Sequence, residues 1–438
     1  MILTFEYRIK PDQSQAECID HWLELLRRHW NYALGQRLDW LRRTRCAVDR
    51  CNLVSEPIGE IPEKVNYYTQ QSDLKQTKIF FPDYKNIYCE VQQINLQRLK
   101  KAWKKWLVPD QKGKRGGRPR FKKAGQLRSF SFSRVNHPKA VIKFSDNCIW
   151  TKKWGAIPVV VHRPIPDGFI LKTATIVKKA DGYYVCLTAE DETIPNIIPI
   201  DNIKSAVGID VGLKEFLTTS EGDTVAVKKI YRNRQNYLAR QQRKLARKVK
   251  GSKNYDKQQK RIALTHQRIA RYRKDWHYKT AHWLVNNYDF IACEDLNIKG
   301  LARTKLAKSI LDVAWGNFLT KLEAVAVKRG VWFVKVSPHG TTVNCSSCGH
   351  KVPKTLSVRF HECPKCNLVM DRDENAAVNI LKKAIQCGLG GSRQEQLNQE
   401  ALEIHGVGLI PSACGGVVNR QPVKQETSRS EYIQLSLF

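Results

Sequence analysis

Four of the thirteen cysteines lie in two close pairs near the end of the chain. Cys345 and Cys348 form the first pair, and Cys363 and Cys366 form the second after fourteen intervening residues. Two CxxC knuckles at this spacing are typical of a zinc ribbon, in which four thiolates complete a tetrahedral shell. A complete shell leaves no position for a reacting water, so we expect a structural Zn²⁺. An iron–sulfur cluster is the alternative, which the wide separation of the knuckles disfavours.

Five carboxylates stand where catalytic cations are often held. Asp210 lies inside the apolar run AVGIDVG, Glu294 and Asp295 end the apolar run FIACEDL, and Asp371 and Asp373 open a helical run. A carboxylate in an apolar strand is costly unless it serves a purpose. Acids at strand ends and a helix start can converge on two divalent ions, which promote hydrolysis of a phosphodiester. Each acid alone is more often a cap or a surface charge, and Asp371 suits an N-cap.

The elements that must position these acids follow the order of an RNase H-like domain. An acid-bearing strand and two hairpin strands precede a basic helical segment, then a strand ending in an acid, and finally a helix opened by an acid. The segment 228–274 contains many Lys and Arg and a single acid, which favours a surface that faces phosphates. The predicted elements are strands within 206–227, helical segments at 228–274 and 276–287, a strand at 289–296, a helix at 309–330, a strand at 331–337 and a helix at 375–388.

The first half of the chain predicts helices and a separate β-domain. The predicted elements are a strand at 4–10, an apolar-striped helix from 14 to about 43, a basic helix at 91–107 and short alternating strands from about 128 to 198. The alternating strands indicate a β-barrel or sandwich.

A basic stretch, KGKRGGRPRFKK (112–123), lies between the second helix and the β-domain. Its glycines allow a close approach to phosphates, and basic side chains would neutralise them. The candidate nucleic-acid contacts are Arg118, Arg120, Lys122 and Lys123. A solvated, flexible loop is the alternative interpretation. Trp103 and Trp106 on the preceding helix have the spacing to stack on bases, but such aromatics are more often core.

The composition also predicts a nucleic-acid partner. In 438 residues, 75 Lys and Arg outnumber 41 Asp and Glu, which leaves a net charge of +34. Such an excess repels itself unless a polyanion neutralises it. We expect no membrane partner, because no signal-peptide core and no run of about 18 apolar residues is present. The remaining cysteines are scattered, as in a chain that stays in the reducing cytoplasm.

Three motifs in this order resemble the TnpB (OrfB) proteins of insertion sequences, relatives of the type V CRISPR effectors. The motifs are GIDVGLK (208–214), EDLNIKG (294–300) and DRDENAA (371–377), the last directly behind the cysteine ribbon. Shorter likenesses occur at 8–11, 117–122 and 312–316, so that the resemblance covers roughly residues 1–385. The chain departs from many relatives in TTVN (341–344) before the first ribbon cysteine and in WHYK (276–279).

The resemblance implies a multidomain α+β and α/β protein with a β-barrel wedge and a RuvC-type RNase H-like nuclease. The expected parts are a first wedge strand (1–13), a helical recognition insert (14–110), the wedge barrel (111–200), the first part of the nuclease (201–340), the zinc ribbon (341–370), the last nuclease helix (371–388) and a polar, disordered tail (389–438). Asp210, Glu294 and Asp373 are the implied catalytic triad and would bind Mg²⁺ or Mn²⁺. Asp373 is preferred to Asp371 because the family's acid lies two residues before an Asn.

The resemblance further implies an RNA-guided DNA endonuclease that reads a short motif beside its target. Its partners would be a guide RNA and target double-stranded DNA near the nucleoid of a prokaryote, with no oligomeric state implied. Three alternatives stay open: a guided DNA-binding repressor without useful cleavage, a strand-transferring transposase, and a zinc-ribbon RNA-binding module alone. The intact acids favour cleavage over repression, and the acid behind the ribbon favours the guided nucleases over the transposases.

Overall fold

The structure, a computed structural model, describes residues 2–45, 63–111, 113–191, 196–355 and 358–388. The chain divides into two compact units, Met1–Thr193 and Ile194–Phe438. The predicted tail (389–438) and Lys112 of the basic stretch lie outside the described residues. The finer domain boundaries stay predictions.

The first unit is built on a seven-stranded antiparallel sheet. Its strands are β1 (Ile2–Ile9), β2 (Ser129–Phe132), β3 (Lys143–Ser145), β4 (Cys148–Thr151), β5 (Gly155–Val160), β6 (Ile170–Lys179) and β7 (Gly182–Glu190). They pair in the order β2-β6-β7-β1-β5-β4-β3. The N-terminal strand therefore lies at the centre of the sheet, between strands that are far from it in sequence.

This sheet is curled. β2 and β5 lie four places apart, which is about 19 Å in a flat sheet with strands about 4.8 Å apart. The ring of Phe132 at the end of β2 nevertheless lies 5.9 Å from the ring of Trp154, which directly precedes β5. Side chains from both ends of the sheet share one core. The prediction of a β-domain is confirmed in this coarser form, and a closed barrel wedge stays a prediction.

Helices pack on and beside this sheet. They are α1 (Gln13–Arg45), α2 (Tyr67–Ser72), α3 (Leu74–Phe80) and α4 (Cys89–Leu107). Trp22, Leu26, Trp30 and Leu34 recur every fourth residue along α1 and are all buried, so the apolar stripe is core as expected. Trp22 and Leu26 join the core of the sheet, whereas Trp30 and Leu34 form a second core with Trp103 of α4.

The second unit contains a five-stranded mixed sheet in the order β10-β9-β8-β11-β12. Its strands are β8 (Ala206–Asp210), β9 (Glu215–Thr219), β10 (Thr224–Ala226), β11 (Phe290–Glu294) and β12 (Trp332–Val336). The central strand β8 is antiparallel to β9 and parallel to β11, which is in turn parallel to β12. The predicted order of strands and helices in this unit is therefore present, and its assignment as an RNase H-like domain stays a prediction.

Helices cover both faces of this sheet. They are α5 (Arg232–Ala246), α6 (Lys253–Asn287), α7 (Ile298–Leu301), α8 (Ala307–Val313), α9 (Trp315–Arg329) and α10 (Arg372–Gly388), and a short hairpin of β13 (Phe360–Glu362) and β14 (Val369–Asp371) precedes α10. Successive strand residues point to opposite faces. Val207 and Ile209 of β8 join the core with α6 and α9, whereas Ala206 lies on the side of α10.

Two helix boundaries differ from the predicted ones. The basic segment is interrupted at 247–252 rather than at 275, where Gly251 has a φ of 83° and Ser252 caps α6 by accepting a hydrogen bond from the Tyr255 amide. The helix predicted at 309–330 is two helices, because Ala314 takes a left-handed φ of 55° between α8 and α9. A left-handed alanine is not expected from sequence, since its Cβ makes this conformation costly.

Among the residues with described structure, none of the helices combines the length and the apolar character needed to span a lipid bilayer.

Candidate active site and metal centre

Two parallel strands carry Asp210 and Glu294 to the same edge of the sheet. Ile209 of β8 is the register partner of Cys293 of β11, so the next residues, Asp210 and Glu294, end the two strands side by side. Because side chains alternate along a strand, Asp210 lies on the face of Gly208, and Glu294 on the face of Ala292. Both acids therefore lie on the side of the sheet that α10 covers.

Helix α10 brings the third acid, Asp373, to this edge in its first turn. Gly208 allows the helix to lie directly on β8, because a Cβ at this position would come within 2.0 Å of the Ala377 carbonyl oxygen. Ala376, Ala377 and Ala384 on the facing side of α10 are buried and small. Small residues on both surfaces thus set the distance between the helix and the strand.

The electrostatics show that the three carboxylates are close together. Burial and the charges of Glu294 and Asp373 raise the pKa of Asp210 to about 8, and the charge of Arg372 opposes this rise. Burial also raises the pKa of Glu294, against a hydrogen bond from Thr341 and the charge of Lys383. Carboxyl groups are the side-chain ligands that Mg²⁺ and Mn²⁺ prefer.

Two arginines lie beside Asp373. Arg372 donates from Nε and Nη2 to Asp373 Oδ1, at 3.0 and 2.8 Å. Arg359 Nη1 lies 3.9 Å from Asp373 Oδ2, and the Arg359 carbonyl accepts a hydrogen bond from the Arg372 amide at 2.7 Å. The β13–β14 hairpin therefore delivers positive charge to the same edge as the acids.

The other two candidate acids take different positions. The Asp371 carboxylate accepts a hydrogen bond from the Asp373 amide at 2.7 Å, directly before α10 begins at Arg372. It therefore caps the helix, as the sequence suggested. Asp295 is exposed, and its amide donates to the Val336 carbonyl. Asp210, Glu294 and Asp373 are thus the candidates that the structure brings together.

The four paired cysteines converge on one point. Cys345 Sγ lies 3.6 Å from Cys366 Sγ, and Cys348 Sγ lies 3.5 Å from Cys363 Sγ. All four sulfurs lie within 4.8 Å of one another. Sulfurs around a tetrahedral Zn²⁺ are about 3.8 Å apart, since each Zn–S bond is about 2.3 Å long. The predicted convergence is confirmed, and the donor set fits zinc.

The two knuckles share one backbone design. In each, the amide four residues after the first cysteine donates to that cysteine's carbonyl: Gly349 to Cys345 at 3.0 Å, and Asn367 to Cys363 at 2.9 Å. Both donors have a left-handed φ, 73° for Gly349 and 57° for Asn367. Gly and Asn are the residues that adopt this conformation at little cost.

Side chains that the sequence did not single out join the ribbon to the acids. The buried Thr341 donates from its hydroxyl to Glu294 Oε1 at 2.5 Å. Asn379 of α10 donates to the Thr341 carbonyl at 2.9 Å, and Asn375 Oδ1 accepts from the Ser346 amide at 2.9 Å. The loop leading into the first knuckle is therefore fixed to the helix that carries Asp373.

The basic stretch (112–123) is attached to helix α1 by hydrogen bonds. Asn31 of α1 exchanges two hydrogen bonds with the backbone of Lys122, at 2.9 and 2.8 Å. Lys122 is half-buried with Nζ 4.4 Å from the Trp30 ring centre, and burial lowers its pKa. Arg118, Arg120 and Lys123 are exposed. Three of the four predicted nucleic-acid contacts thus face solvent, whereas Lys122 packs inward.

Three family models match the chain. Residues 185–305 match the OrfB family of IS605 elements, described as "Probable transposase". Residues 315–380 match the "Cas12f1-like, TNB domain", and residues 1–46 match the helix-turn-helix domain of the OrfB family. The second match covers the ribbon and the start of α10.

Named relatives extend over much of the chain. "Putative RNA-guided DNA endonuclease InsQ" of Escherichia coli is 29% identical over 71% of this chain and 79% of that protein. A "Putative RNA-guided DNA endonuclease" of Streptomyces pristinaespiralis is 32% identical over 62% of this chain and 61% of its own length. A solved Cas12f1–sgRNA–target DNA complex aligns with a TM-score of 0.49 and 14% identity, covering 84% of this chain and 83% of that chain.

Proposed function

The chain belongs to the TnpB (OrfB) family, and on that premise we propose that it is an RNA-guided DNA endonuclease. It hydrolyses a phosphodiester of target DNA beside a short motif that the protein reads. The observation that carries the proposal is the convergence of Asp210, Glu294 and Asp373 at one edge of a mixed sheet. Arg372 and Arg359 lie beside Asp373, but like charges crowded at one half-buried edge still repel one another, and bound cations would offset that repulsion.

In this proposal Asp210, Glu294 and Asp373 would hold two Mg²⁺ or Mn²⁺ ions. Bound cations would supply an activated water and charge stabilisation for hydrolysis of the phosphodiester. The chain contributes the fixed geometry: Thr341 orients Glu294, and the cap by Asp371 fixes the first turn of α10 with Asp373. Arg372 and Arg359 supply positive charge next to the site, where the phosphate of a bound strand would lie.

The rest of the molecule would hold the nucleic acids. We assign the wedge to the curled sheet and the recognition insert to α1–α4, and we assign the RuvC-type nuclease to the β8–β12 sheet with its helices. The net charge of +34 suits a partner with a long phosphate backbone. Base pairing with a guide RNA would supply target specificity, while the protein reads backbone shape and the adjacent motif. A DNA target implies action at the nucleoid of a prokaryotic cell.

The test begins with the RNA that copurifies with the expressed protein. Its sequence defines matching targets, which are placed in plasmids beside a randomised stretch, and cleaved plasmids are sequenced. We expect cleavage beside a restricted set of motifs in the presence of Mg²⁺. Asp210→Asn, Glu294→Gln and Asp373→Asn are each expected to lower the rate by about a hundredfold or more, since each removes a cation ligand.

The exposed Asp295 offers a matched control, because Asp295→Asn makes the same chemical change one residue from the site. It should cleave at close to the unmodified rate. Unchanged cleavage by Asp210→Asn would refute the proposed mechanism. Guided binding without cleavage by the unmodified protein would favour the repressor alternative, and joined strands among the products would favour the transposase.

A further inference from the structure

The first unit contains a surface hollow that the proposed cleavage site does not use. Its volume is about 420 Å³, and its lining residues are Leu38 of α1 with Arg118, Pro119, Arg120 and Phe121 of the basic stretch. This volume lies within the range of about 300–1,000 Å³ that is typical of small-ligand sites. The lining combines an aromatic ring and aliphatic carbons with two guanidinium groups.

Phe121 is the unusual member of this lining. Its side chain is 56% exposed, although every neighbour in the basic stretch is polar, glycine or proline. An exposed aromatic ring among cationic side chains is what binders of single-stranded nucleic acid use, because each base has a face that can stack. The bases of a duplex are already stacked, so a duplex offers mainly its backbone to such a surface.

Hydrogen bonds with α1 and α4 fix the backbone of the basic stretch, and this fixes the positions from which its side chains project. The Gly116 amide donates to the Lys105 carbonyl at 2.7 Å, and a Cβ on Gly116 would lie 2.8 Å from Lys105 Cγ. Trp30 Nε1 donates to the Arg120 carbonyl at 3.3 Å. The guanidinium of Arg118 lies 5.7 Å from the Trp106 ring centre.

Further anchors lie on the C-terminal side of the hollow. Arg27 Nη1 donates to the Lys122 carbonyl at 2.8 Å, beside the two bonds from Asn31. The stretch thus has fixed residues on both sides of Phe121. Fixed loops bind with a smaller loss of conformational entropy than loops that must order on binding.

We propose that this hollow binds one unstacked nucleotide of a single strand. The base stacks on Phe121 against Leu38 and Pro119, and the flanking phosphates lie at Arg118 and Arg120. The inference rests on the proposed function, since it specifies where one of the nucleic-acid strands is held. Unpaired RNA and a displaced DNA strand share this chemistry, and the test below distinguishes them.

The test measures binding by the full-length chain after bound nucleic acid has been removed. The probes are a fluorescein-labelled single-stranded RNA of about twelve nucleotides, the same sequence as DNA, and its blunt DNA duplex. We expect Phe121→Ala to weaken single-strand binding about tenfold and duplex binding less than about twofold. Phe121→Trp should restore binding, because it keeps an aromatic face.

A second readout detects stacking itself. A single 2-aminopurine in each single-stranded probe should lose fluorescence on binding, and this change should be absent with Phe121→Ala. Arg120→Gln should weaken binding to all probes and lower the slope of the salt dependence by about one. Phe81→Ala is the matched control, since Phe81 is a 60% exposed aromatic residue of the same unit that lies outside the hollow. It should leave single-strand binding unchanged.

The outcomes separate this inference from the proposed function. If Phe121→Ala binds only the RNA probe more weakly, the hollow holds an RNA nucleotide. If it binds the single-stranded DNA more weakly as well, the hollow accepts a nucleotide of either kind. If Phe121→Ala binds both single strands as tightly as the unmodified protein does, the inference is wrong. It is also wrong if Phe121→Ala loses as much affinity for the duplex as for the single strands. None of these measurements needs cleavage, so a protein that fails to cut DNA still gives a decisive result.

Discussion

At the residue scale, the raised pKa of Asp210 would make the proposed cation binding dependent on pH. The carboxyl group keeps its proton below about pH 8 in the protein without cations, because burial and the charges of Glu294 and Asp373 disfavour its ionised form. A divalent cation must displace that proton. We expect the affinity for Mn²⁺ to rise about tenfold per pH unit from pH 6 to 8 and then to level off.

The free energy of unfolding of the cation-free protein should fall as the pH rises, whereas the affinity for Mn²⁺ increases. The pKa is about 8 in the folded protein and about 3.9 in an unfolded chain. The folded state therefore binds this proton more tightly, and its stabilising effect is lost as the pH rises towards 8. Calorimetric titration gives the affinity and thermal unfolding gives the stability. Asp210→Asn should flatten both profiles, and a flat profile in the unmodified protein would contradict the argument.

Thr341 provides a second prediction at this scale. Its hydroxyl donates to Glu294 Oε1 at 2.5 Å, so in the proposed site it would orient a cation ligand without binding the cation itself. Loss of such an orienting contact typically costs about 10- to 100-fold in metal affinity or activity. Thr341→Val should lower Mn²⁺ affinity within this range, whereas Thr341→Ser should retain it. Equal Mn²⁺ affinities of the two variants would show that the hydroxyl has no such role.

The sequence identified residues that stand out in a local pattern and missed residues that act through distant partners. Asp210 and Glu294 could be found because each interrupts an apolar strand, and Asp371 because it precedes a helical pattern. Thr341 and Asn379 could not be found, since their roles depend on partners far away in the sequence. Arg372 was likewise overlooked, because a charged residue at a helix start has no distinctive pattern.

At the element scale, the close contact of α10 with β8 depends on Gly208. A Cβ there would lie 2.0 Å from a backbone oxygen, so Gly208→Ala must move the helix and with it Asp373. We expect a loss of about 3 kcal/mol in the free energy of unfolding and a strong loss of cleavage. Thermal unfolding and plasmid cleavage measure the two effects.

Gly35→Ala makes the same change where no atom lies within 4 Å, in the helix α1. It should be neutral or add about 0.5–1 kcal/mol of stability, because alanine favours helix more than glycine does. An equally mild effect of Gly208→Ala would mean that α10 can shift without consequence.

Metal removal tests the ribbon as an element. Cys348 and Cys366 are exposed, so a chelator can reach the cluster. We expect one Zn²⁺ per chain, and we expect its removal to abolish cleavage, because Thr341 and Ser346 lie beside the first knuckle and contact Glu294 and α10. Added Zn²⁺ should restore cleavage in the presence of Mg²⁺, while Mg²⁺ alone should not. Full activity of the zinc-free protein would show that the ribbon does not support the site.

The element boundaries show where sequence patterns were insufficient. The layered order of strands and helices in the second unit follows from periodicity, which reports buried faces. The break before α6 coincides with Gly251 and with the N-cap residue Ser252 inside a long basic run, whereas the break at Ala314 depends on a left-handed alanine. The first break therefore has a local sequence signal, which the continuous basic run obscured, and the second has none, because alanine rarely adopts a left-handed conformation.

At the scale of the whole molecule, the net charge of +34 makes the compact state repel itself, and a bound polyanion would relieve that repulsion. We expect a discrete RNA to copurify with the protein. Ribonuclease treatment should abolish cleavage of the matched plasmid, and the same RNA added back should restore it, whereas an RNA of scrambled sequence should not. Cleavage that persists after complete removal of RNA would exclude guidance.

The position of Asp373 also has a consequence for synthesis. Asp210 and Glu294 leave the ribosome long before α10, and until α10 packs on Gly208 the edge of the sheet lacks its third carboxylate. On the proposed function, a nascent chain that lacks α10 should therefore not cut DNA, even if the rest of the sheet has already folded. Prematurely terminated products that end before residue 371 should be harmless in the cell, because the proposed cleavage site becomes complete only with α10.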